Sequence, residues 1–342
     1  MTSFLSPRGA RLLSVLALLA ALALPGAARA VCTGANLFDA LPMAEQDALR
    51  ARAEAVPHPR GLVFRATRAG QEVILVGTNH LPDPRHSATL ALVEPLMAGV
   101  GQLLVEAGPE EEAALKQAAA RDPSLLFITE GPTLPEILPP EDWAALSRLA
   151  LERGMPGFVI SKMRPIYLAM MLGLPPCAME ALAKGEGGLD KELIARAKAQ
   201  GLAVVALEPY DTIYRLFAAV PDAEAPAMLR AAMIGAEQAG DSMVTLADLY
   251  FRGEPRLVWE FTRAQALAGG MAPDEVERQM ALSEDLLMIG RNRDWIPVIE
   301  AAAAQGPVMV AAGALHMPGA DGVLALLEAR GWRVARLDGP RP

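Results

Sequence analysis

Residues 72–84 read EVILVGTNHLPDP, an apolar run that stops at a glycine and is followed three places later by a histidine. The run is typical of a buried strand. The preceding stretch, LVFRAT at 62–67, is separated from it by the sequence RAG at 68–70. Glycine is favoured where a tight hairpin turn needs a positive φ. These residues predict two adjacent strands joined by a short hairpin, with His80 just beyond the second strand.

Three more apolar runs along the chain also end in an ionisable residue. Glu106 follows QLLV, Glu208 follows LAVVAL and His316 follows VMVAAGAL. In an open α/β sheet, ligands and catalytic groups gather at the carboxyl ends of parallel strands. If the four strands are parallel neighbours, His80 and these three residues form one site, which we interpret as the candidate catalytic group.

The two histidines at strand ends share one spacing. Gly77 lies three residues before His80, and Gly313 lies three residues before His316. A glycine at this point allows a turn or a close backbone approach, so the histidine can enter a cleft. A lone histidine behind a strand is usually structural, but a doubled pattern in a chain with four histidines favours a functional role. The other two histidines lie in proline-rich sequence and are interpreted as surface residues: His58 and His86.

The rest of the pattern is strand-rich at both ends of the chain and helical between them. We predict a single domain over residues 31–342. Residues 31–110 and 301–342 supply strands, and residues 111–300 are mainly helical with one or more strands. The predicted fold class is α/β, with a mixed central sheet from the N- and C-terminal strands and a large, mainly helical middle section that covers the sheet or forms a lid.

Residues 1–30 have the features of a cleaved secretory signal. Arginines precede the apolar run LLSVLALLAALAL, and the small-x-small sequence ARA closes the segment at residue 30. The run is shorter than the ~20 residues that a membrane span needs, so cleavage is favoured over an N-terminal anchor. We therefore predict a mature chain that begins at Val31, is periplasmic or secreted, and has no membrane segment after cleavage.

The net charge excludes one class of partner, and the two cysteines allow one disulfide. The formal net charge is −9, and loss of the signal removes three arginines and no acid, which leaves −12. A chain this acidic has no basic surplus to neutralise phosphates, so we expect no nucleic-acid partner. In an oxidising compartment Cys32 and Cys177 could form one disulfide or remain two free thiols.

Several motifs occur together along the chain. They are VGTNHLPD with LLVEAG downstream, KMRPIYLAMML, VVALEP, IGRNRDWIPVI and VAAGALHMPGADGVLALLEARGWRVARL. In this combination the chain resembles the TraB/PrgY/GumN family, to which the Tiki metalloproteases are related. The resemblance extends from about residue 37 to residue 338. Its most specific part is the last motif, where Gly-x-x-His is followed by Pro-Gly, Asp-Gly and a glycine-led final strand.

The resemblance implies a metal-dependent hydrolytic centre built from His80, Glu106 and His316. Imidazole nitrogen and carboxylate oxygen are ligands for Zn, Mn or Co, and such a metal lowers the pKa of bound water to about 7. Without a metal, one histidine could activate water as a base, oriented by Glu106. Glu208 is a candidate further ligand or general base, although an acid at such a place is also a common helix N-cap.

Arg291 and Asn292 are candidate substrate-binding residues. Charged residues on the predicted helix LLMIGRNRDWIPVI normally face solvent, and Arg293 and Asp294 fit that interpretation. The resemblance makes Arg291 and Asn292 candidate partners of a substrate or a carboxylate, because a guanidinium can bind an anionic group through two hydrogen bonds.

The predicted function is an exported hydrolase, metal-dependent and peptidase-like, that acts on a peptide or small molecule. Two alternatives use the same pocket: a metal-independent esterase-like enzyme, and a non-catalytic periplasmic protein that binds haem or a small peptide. An enzyme requires His80, Glu106 and His316 to converge, whereas a binding protein tolerates their spread around an apolar pocket.

Overall fold

Six strands form one mixed sheet at the centre of the molecule. The computed structural model describes residues 32–339, so the predicted signal at 1–30 and the predicted first mature residue, Val31, lie outside the described residues. The strands, in chain order, are β1 Val63–Arg68, β2 Gln71–Thr78, β3 Gln102–Val105, β4 Ala203–Ala206, β5 Val308–Gly313 and β6 Arg333–Arg336. Their spatial order is β4-β3-β5-β2-β1-β6.

The strands of this sheet run in both directions. β2, β5, β3 and β4 are parallel neighbours, and β1 pairs antiparallel with both β2 and β6. The fold-class prediction is confirmed: N- and C-terminal strands build a mixed sheet, and the helical middle section contributes the edge strand β4. The carboxyl ends of β2, β3, β4 and β5 share one edge of the sheet, which is called the rim below.

The predicted hairpin between β1 and β2 is confirmed. Arg68 pairs with Gln71, and φ is 48° at Ala69 and 83° at Gly70 between them. A two-residue turn with both residues at positive φ matches type I′, whose twist suits two antiparallel strands. The sequence predicts a positive φ only at the glycine, because alanine normally avoids this region.

Helices surround the sheet and form most of the middle section. Within residues 32–339 the α-helices are α1 Met43–Glu54, α2 His86–Met97, α3 Pro109–Arg121, α4 Leu134–Ile137, α5 Pro140–Glu152, α6 Gly157–Ile160, α7 Pro165–Gly173, α8 Pro176–Ala183, α9 Leu189–Ala199, α10 Thr212–Ala218, α11 Ala225–Ala236, α12 Ala239–Phe251, α13 Pro255–Ala268, α14 Pro273–Glu284, α15 Gly290–Ala303 and α16 Val323–Ala329. Helix α5 begins at Pro140, and Gly201 follows the C-cap residue of α9.

Alternate residues of the buried strands pack against helices on opposite faces of the sheet. On one face, Ile74 and Val76 of β2 pack with apolar residues of α2 and α9. On the other face, Val73 and Leu75 pack with residues of α15 and α16. These four side chains are at most 1% exposed, and burial of each contributes about 1.5–3 kcal/mol. The rim is therefore the edge of a sheet that is packed between helices on both faces.

The middle section also has a hydrophobic core of its own. Leu134, Leu146, Ile160, Leu168 and Leu229 are all fully buried and belong to one cluster. The section covers the sheet through α9 and α15, and its helices α12 and α13 pack against Phe38 and Ala53 of the N-terminal region.

Cys32 and Cys177 form a disulfide in the structure, with an S–S distance of 2.09 Å and Cα atoms 5.5 Å apart. The bond joins the segment before α1 to α8 across a sequence separation of 145 residues. A cross-link over so long a loop removes conformational entropy from the unfolded chain, which stabilises the fold by about 5 kcal/mol in the chain-entropy model.

The surface interpretation is wrong for His86. This residue begins α2 and is 3% exposed, because the preceding prolines form a turn that leads directly into a helix. Its Nε2 lies 2.9 Å from the carbonyl oxygen of Leu81, and its ring packs 5.0 Å from the ring of Phe251. His58 fits its interpretation better, since it is partly exposed and its Nε2 lies 2.9 Å from Glu328.

Among residues 32–339, membrane-spanning potential is limited to one pair of short helices. Within residues 32–339 no single helix is long and apolar enough to cross a membrane. Helices α7 and α8, which are bent by 104° relative to each other, pass that test only as a pair, by length and composition.

Candidate functional site

The four strand-end residues lie together at the rim. β2 and β5 end in register, β3 ends beside β5, and β4 ends beside β3. His80, Glu106, Glu208 and His316 therefore leave the sheet at the same edge, as the apolar runs suggested. The structure also brings Arg291 and Asn292 to this edge, from the first turn of α15.

Arg291 occupies the centre of the site. Its Nη2 donates to Glu106 Oε2 and to Glu208 Oε1, both at 2.7 Å, and its Nε donates to Glu208 Oε2 at 2.8 Å. Nη1 donates to the carbonyl oxygen of Leu287 at 3.1 Å and lies 3.3 Å from His316 Nε2. One cation is thus shared by two largely buried carboxylates through charge-assisted hydrogen bonds, which are stronger than neutral ones.

A π-helical turn positions Arg291. Residues Asp285–Ile289 form this turn immediately before α15, and it contains the Leu287 carbonyl that accepts from the guanidinium. π turns are rare and are frequently found at functional sites, where the extra residue redirects side chains. The sequence DLLMI has no feature that separates such a turn from ordinary helix.

His316 is buried and held in one tautomer. Its Nδ1 lies 2.6 Å from Asn292 Oδ1, while Asn292 Nδ2 donates to the carbonyl oxygen of Asp321 at 2.9 Å. Because the amide nitrogen is used for Asp321, the amide oxygen accepts and Nδ1 carries the proton. Burial and the nearby Arg291 lower the pKa of His316 to about 4. At neutral pH its Nε2 therefore presents a lone pair to the site, 3.9 Å from Glu106 Oε1.

Glu106 is ionised despite its burial. Desolvation opposes the charge, but His316, Arg291 and His80 lower the pKa of Glu106 to about 2. The backbone N–H of Gly313 adds a hydrogen bond of 2.6 Å to Oε1. Both carboxylate oxygens are therefore occupied by donors, one from the backbone and one from Arg291.

Glu208 is held as firmly as Glu106. Trp295 Nε1 donates to Oε2 at 3.0 Å, and Arg291 contacts both oxygens. The N-cap of the next helix, α10, is Asp211, so the helix-cap interpretation does not apply to Glu208. In this arrangement Glu208 fixes the orientation of the guanidinium.

His80 is the most accessible member of the site, with 64% of its side-chain surface exposed. Its Nδ1 lies 3.5 Å from Asp190 Oδ1 on α9. The contact with Asp190 and the charge of Glu106 raise the pKa of His80 to about 9, so the ring is an imidazolium at neutral pH. The two histidines of the site thus differ in charge, one exposed and cationic and the other buried and neutral.

Both motif glycines lie where a side chain would crowd its neighbours. A Cβ at Gly313 would lie 3.2 Å from Glu106 Oε1, 3.6 Å from His316 Cδ2 and 3.7 Å from His80 Nε2. A Cβ at Gly77 would lie 3.1 Å from the Cα of Ala314. The glycines therefore permit close packing at the ends of β5 and β2, where the doubled spacing predicted it.

The comparison with known proteins agrees with the motifs. The sequence model of the TraB/PrgY/gumN family matches residues 62–336, a range that includes every strand of the sheet. The chain belongs to the TraB/PrgY/gumN family. No curated protein matches the chain. The segment that precedes the match holds α1 and Cys32.

The side chains of this TraB/PrgY/gumN site determine whether it fits a metal ion. Among the described residues, no group of three or more His, Cys, Asp or Glu side chains is arranged to hold one. The guanidinium of Arg291 takes the place between the two carboxylates, and both oxygens of Glu106 already accept hydrogen bonds. In this arrangement Arg291 is the cation that neutralises the two carboxylates, and metal ligation by His80, Glu106 and His316 stays a prediction.

Sequence reasoning missed two members of the site in this TraB/PrgY/gumN chain. Asp190 lies in the first turn of α9, where an acid is common because it complements the helix dipole, so it attracted no attention. Trp295 reads as a core residue of α15, and it is fully buried, but it also bonds Glu208 and packs 4.3 Å from the His316 ring. Arg293 is exposed, as predicted.

Proposed function

We propose that this TraB/PrgY/gumN protein is an exported hydrolase that cleaves peptide or ester bonds at the rim. The observation that carries the proposal is the convergence of His80, Glu106 and His316 around Arg291. A binding protein would tolerate these side chains being spread apart, whereas acid–base chemistry requires them in one place.

His316 is the general base of the proposed reaction. Asn292 keeps the proton on Nδ1, and the site-facing Nε2 has one long contact, at 3.3 Å to Arg291, that a water molecule can replace. In the first step this water attacks the substrate carbonyl carbon, and Nε2 accepts a proton from it. Arg291 and the imidazolium of His80 are the cations nearest the negative charge that develops on the carbonyl oxygen.

His80 is the general acid. When the carbon–nitrogen or carbon–oxygen bond breaks, the leaving atom takes a proton from His80, and the products are a carboxylic acid and an amine or alcohol. Glu106 supports both cations, because it bonds Arg291 and attracts the charge on His80. Two titratable groups whose surroundings push their pKa values in opposite directions are the usual structural mark of an acid–base pair.

The proposal is tested by assaying purified mature protein against panels of peptide and ester substrates, before and after exhaustive chelation. We expect hydrolysis that survives chelation and disappears in His316→Ala. Loss of activity on chelation, with recovery on addition of Zn, Mn or Co, would instead support the predicted metal centre, and elemental analysis of the protein checks this directly. Binding of ligands without turnover in any assay would contradict the hydrolase proposal.

Export is proposed from the signal-like sequence, and the disulfide supports it, because disulfides persist mainly in oxidising compartments. We expect protein recovered from the periplasm to have an intact mass that begins at Val31 and to show no free thiol when unfolded without reductant. A mass that retains residues 1–30, or two titratable thiols, would contradict this prediction.

A further inference from the structure

The loop that contains His80 is fixed directly to the start of α9. The carbonyl oxygen of Asn79 accepts from the backbone N–H of Leu189 at 3.0 Å. A Cβ at Gly188 would lie 1.9 Å from that oxygen, so only glycine allows the approach. Asn79 Oδ1 also accepts from the N–H of Leu81 at 2.9 Å, which closes a turn around His80. The backbone that leads into the histidine is therefore held against the start of α9.

This attachment sets Asp190 opposite one nitrogen of the His80 ring. Asp190 follows Leu189 directly, and its Oδ1 lies 3.5 Å from His80 Nδ1. Oδ1 is buried and has no hydrogen-bond partner among the described residues. A buried carboxylate oxygen without a donor is costly, and a small rotation of the ring would supply one. The other ring nitrogen, Nε2, lies 3.7 Å from the point where a Cβ of Gly313 would be, and Glu106 Oε1 lies 3.2 Å from the same point.

We infer that Asp190 is a positioning residue, which binds His80 Nδ1 and so turns Nε2 towards Glu106 and the substrate. The inference rests on the proposed function of the rim site. A carboxylate on the far nitrogen fixes both the tautomer and the orientation of a working imidazole. Asp190 acts only through His80 and does not touch the reacting atoms.

The matched variants are Asp190→Asn and Glu192→Gln. Both remove a negative charge from the first turn of α9, but Glu192 is exposed and paired with Arg196 rather than with His80. We expect Asp190→Asn to lower kcat about 10- to 100-fold while KM stays within about twofold, because ring orientation matters in the transition state. Glu192→Gln should leave both constants unchanged. Asp190→Ala is the second test variant, checked for folding by its melting temperature.

The ring of His80 can also be observed without turnover, by ¹⁵N NMR of protein labelled with ¹⁵N-histidine. The His80 resonances are assigned by their absence in His80→Ala. We expect the two ring resonances of His80 to move in Asp190→Ala and to stay in place in Glu192→Gln. Unchanged His80 resonances together with an unchanged kcat would overturn the inference. If the wild-type protein hydrolyses nothing, the proposed function fails, while the ring spectrum still decides whether Asp190 holds His80.

Discussion

Replacing Arg291 by alanine is expected to lower the free energy of unfolding by about 3–5 kcal/mol at pH 7, because it leaves buried carboxylates without their cation. Glu106 and Glu208 share this one guanidinium, and their side chains are only 18% and 14% exposed. Urea unfolding followed by tryptophan fluorescence measures the change. Arg293→Ala is the matched control, since this arginine lies two residues further along α15 and its pair with Asp321 is exposed. Its effect should stay within about 0.5 kcal/mol.

The cost of Arg291→Ala should depend on pH in a defined direction. The folded-state pKa of Glu106 is lowered from 4.5 to about 2, so its ionic contacts stabilise the protein fully above the unfolded pKa, and this contribution is lost as pH falls towards 2. Without Arg291 the buried carboxylate takes up a proton at higher pH. The difference in stability between wild type and variant should therefore shrink in acid. A variant as stable as Arg293→Ala at pH 7 would show that the guanidinium does not hold the carboxylates.

If the protein is a hydrolase as proposed, His80→Ala should abolish its activity while barely changing the melting temperature. The loss of a positioned proton donor slows turnover by about 10²- to 10⁴-fold, whereas a side chain that is 64% exposed contributes little to the packed core. Measurement of kcat beside thermal unfolding separates the two effects. The control is His58→Ala, which removes another partly exposed histidine whose partner is Glu328 rather than a residue of the site.

The opposite pattern would identify His80 as a structural residue: full activity per folded molecule combined with early melting. His316→Ala gives a useful contrast, because this ring is buried and its loss leaves Asn292 Oδ1 without a donor. An unpaired buried acceptor costs about 1–3 kcal/mol. We therefore expect His316→Ala to lose stability as well as activity, and only the first loss distinguishes it from His80→Ala.

The strand-end residues could be predicted from the sequence because burial and periodicity act locally. An apolar run that stops at an ionisable residue identifies a strand end, and parallel pairing then gathers Glu106 and His316 with the rest. Strand order is set by long-range packing, and no local pattern shows that β5 lies between β3 and β2.

The residues that were missed or misjudged look ordinary in their local sequence. Asp190 looks like any acid in a first helical turn, and His86 looks like a loop residue because prolines precede it. Arg291 looks like a solvent-facing helix charge, and the family resemblance, rather than periodicity, marked it for the site. The position of each of these side chains depends on the direction in which one turn points it. That direction is set by contacts with distant parts of the chain.

The place of β5 in the sheet determines when the fold can be completed during synthesis. This strand is inserted between β2 and β3, although it follows both by about two hundred residues in the chain. A nascent chain that lacks it has two separate strand groups and no continuous rim, so Arg291 and Glu106 have no His316 beside them. Such a high contact order predicts slow folding that finishes only after the C-terminal region is available. On the proposed export and hydrolysis, a chain still in transit through a secretion channel is therefore inactive, and activity begins only where the complete chain is released.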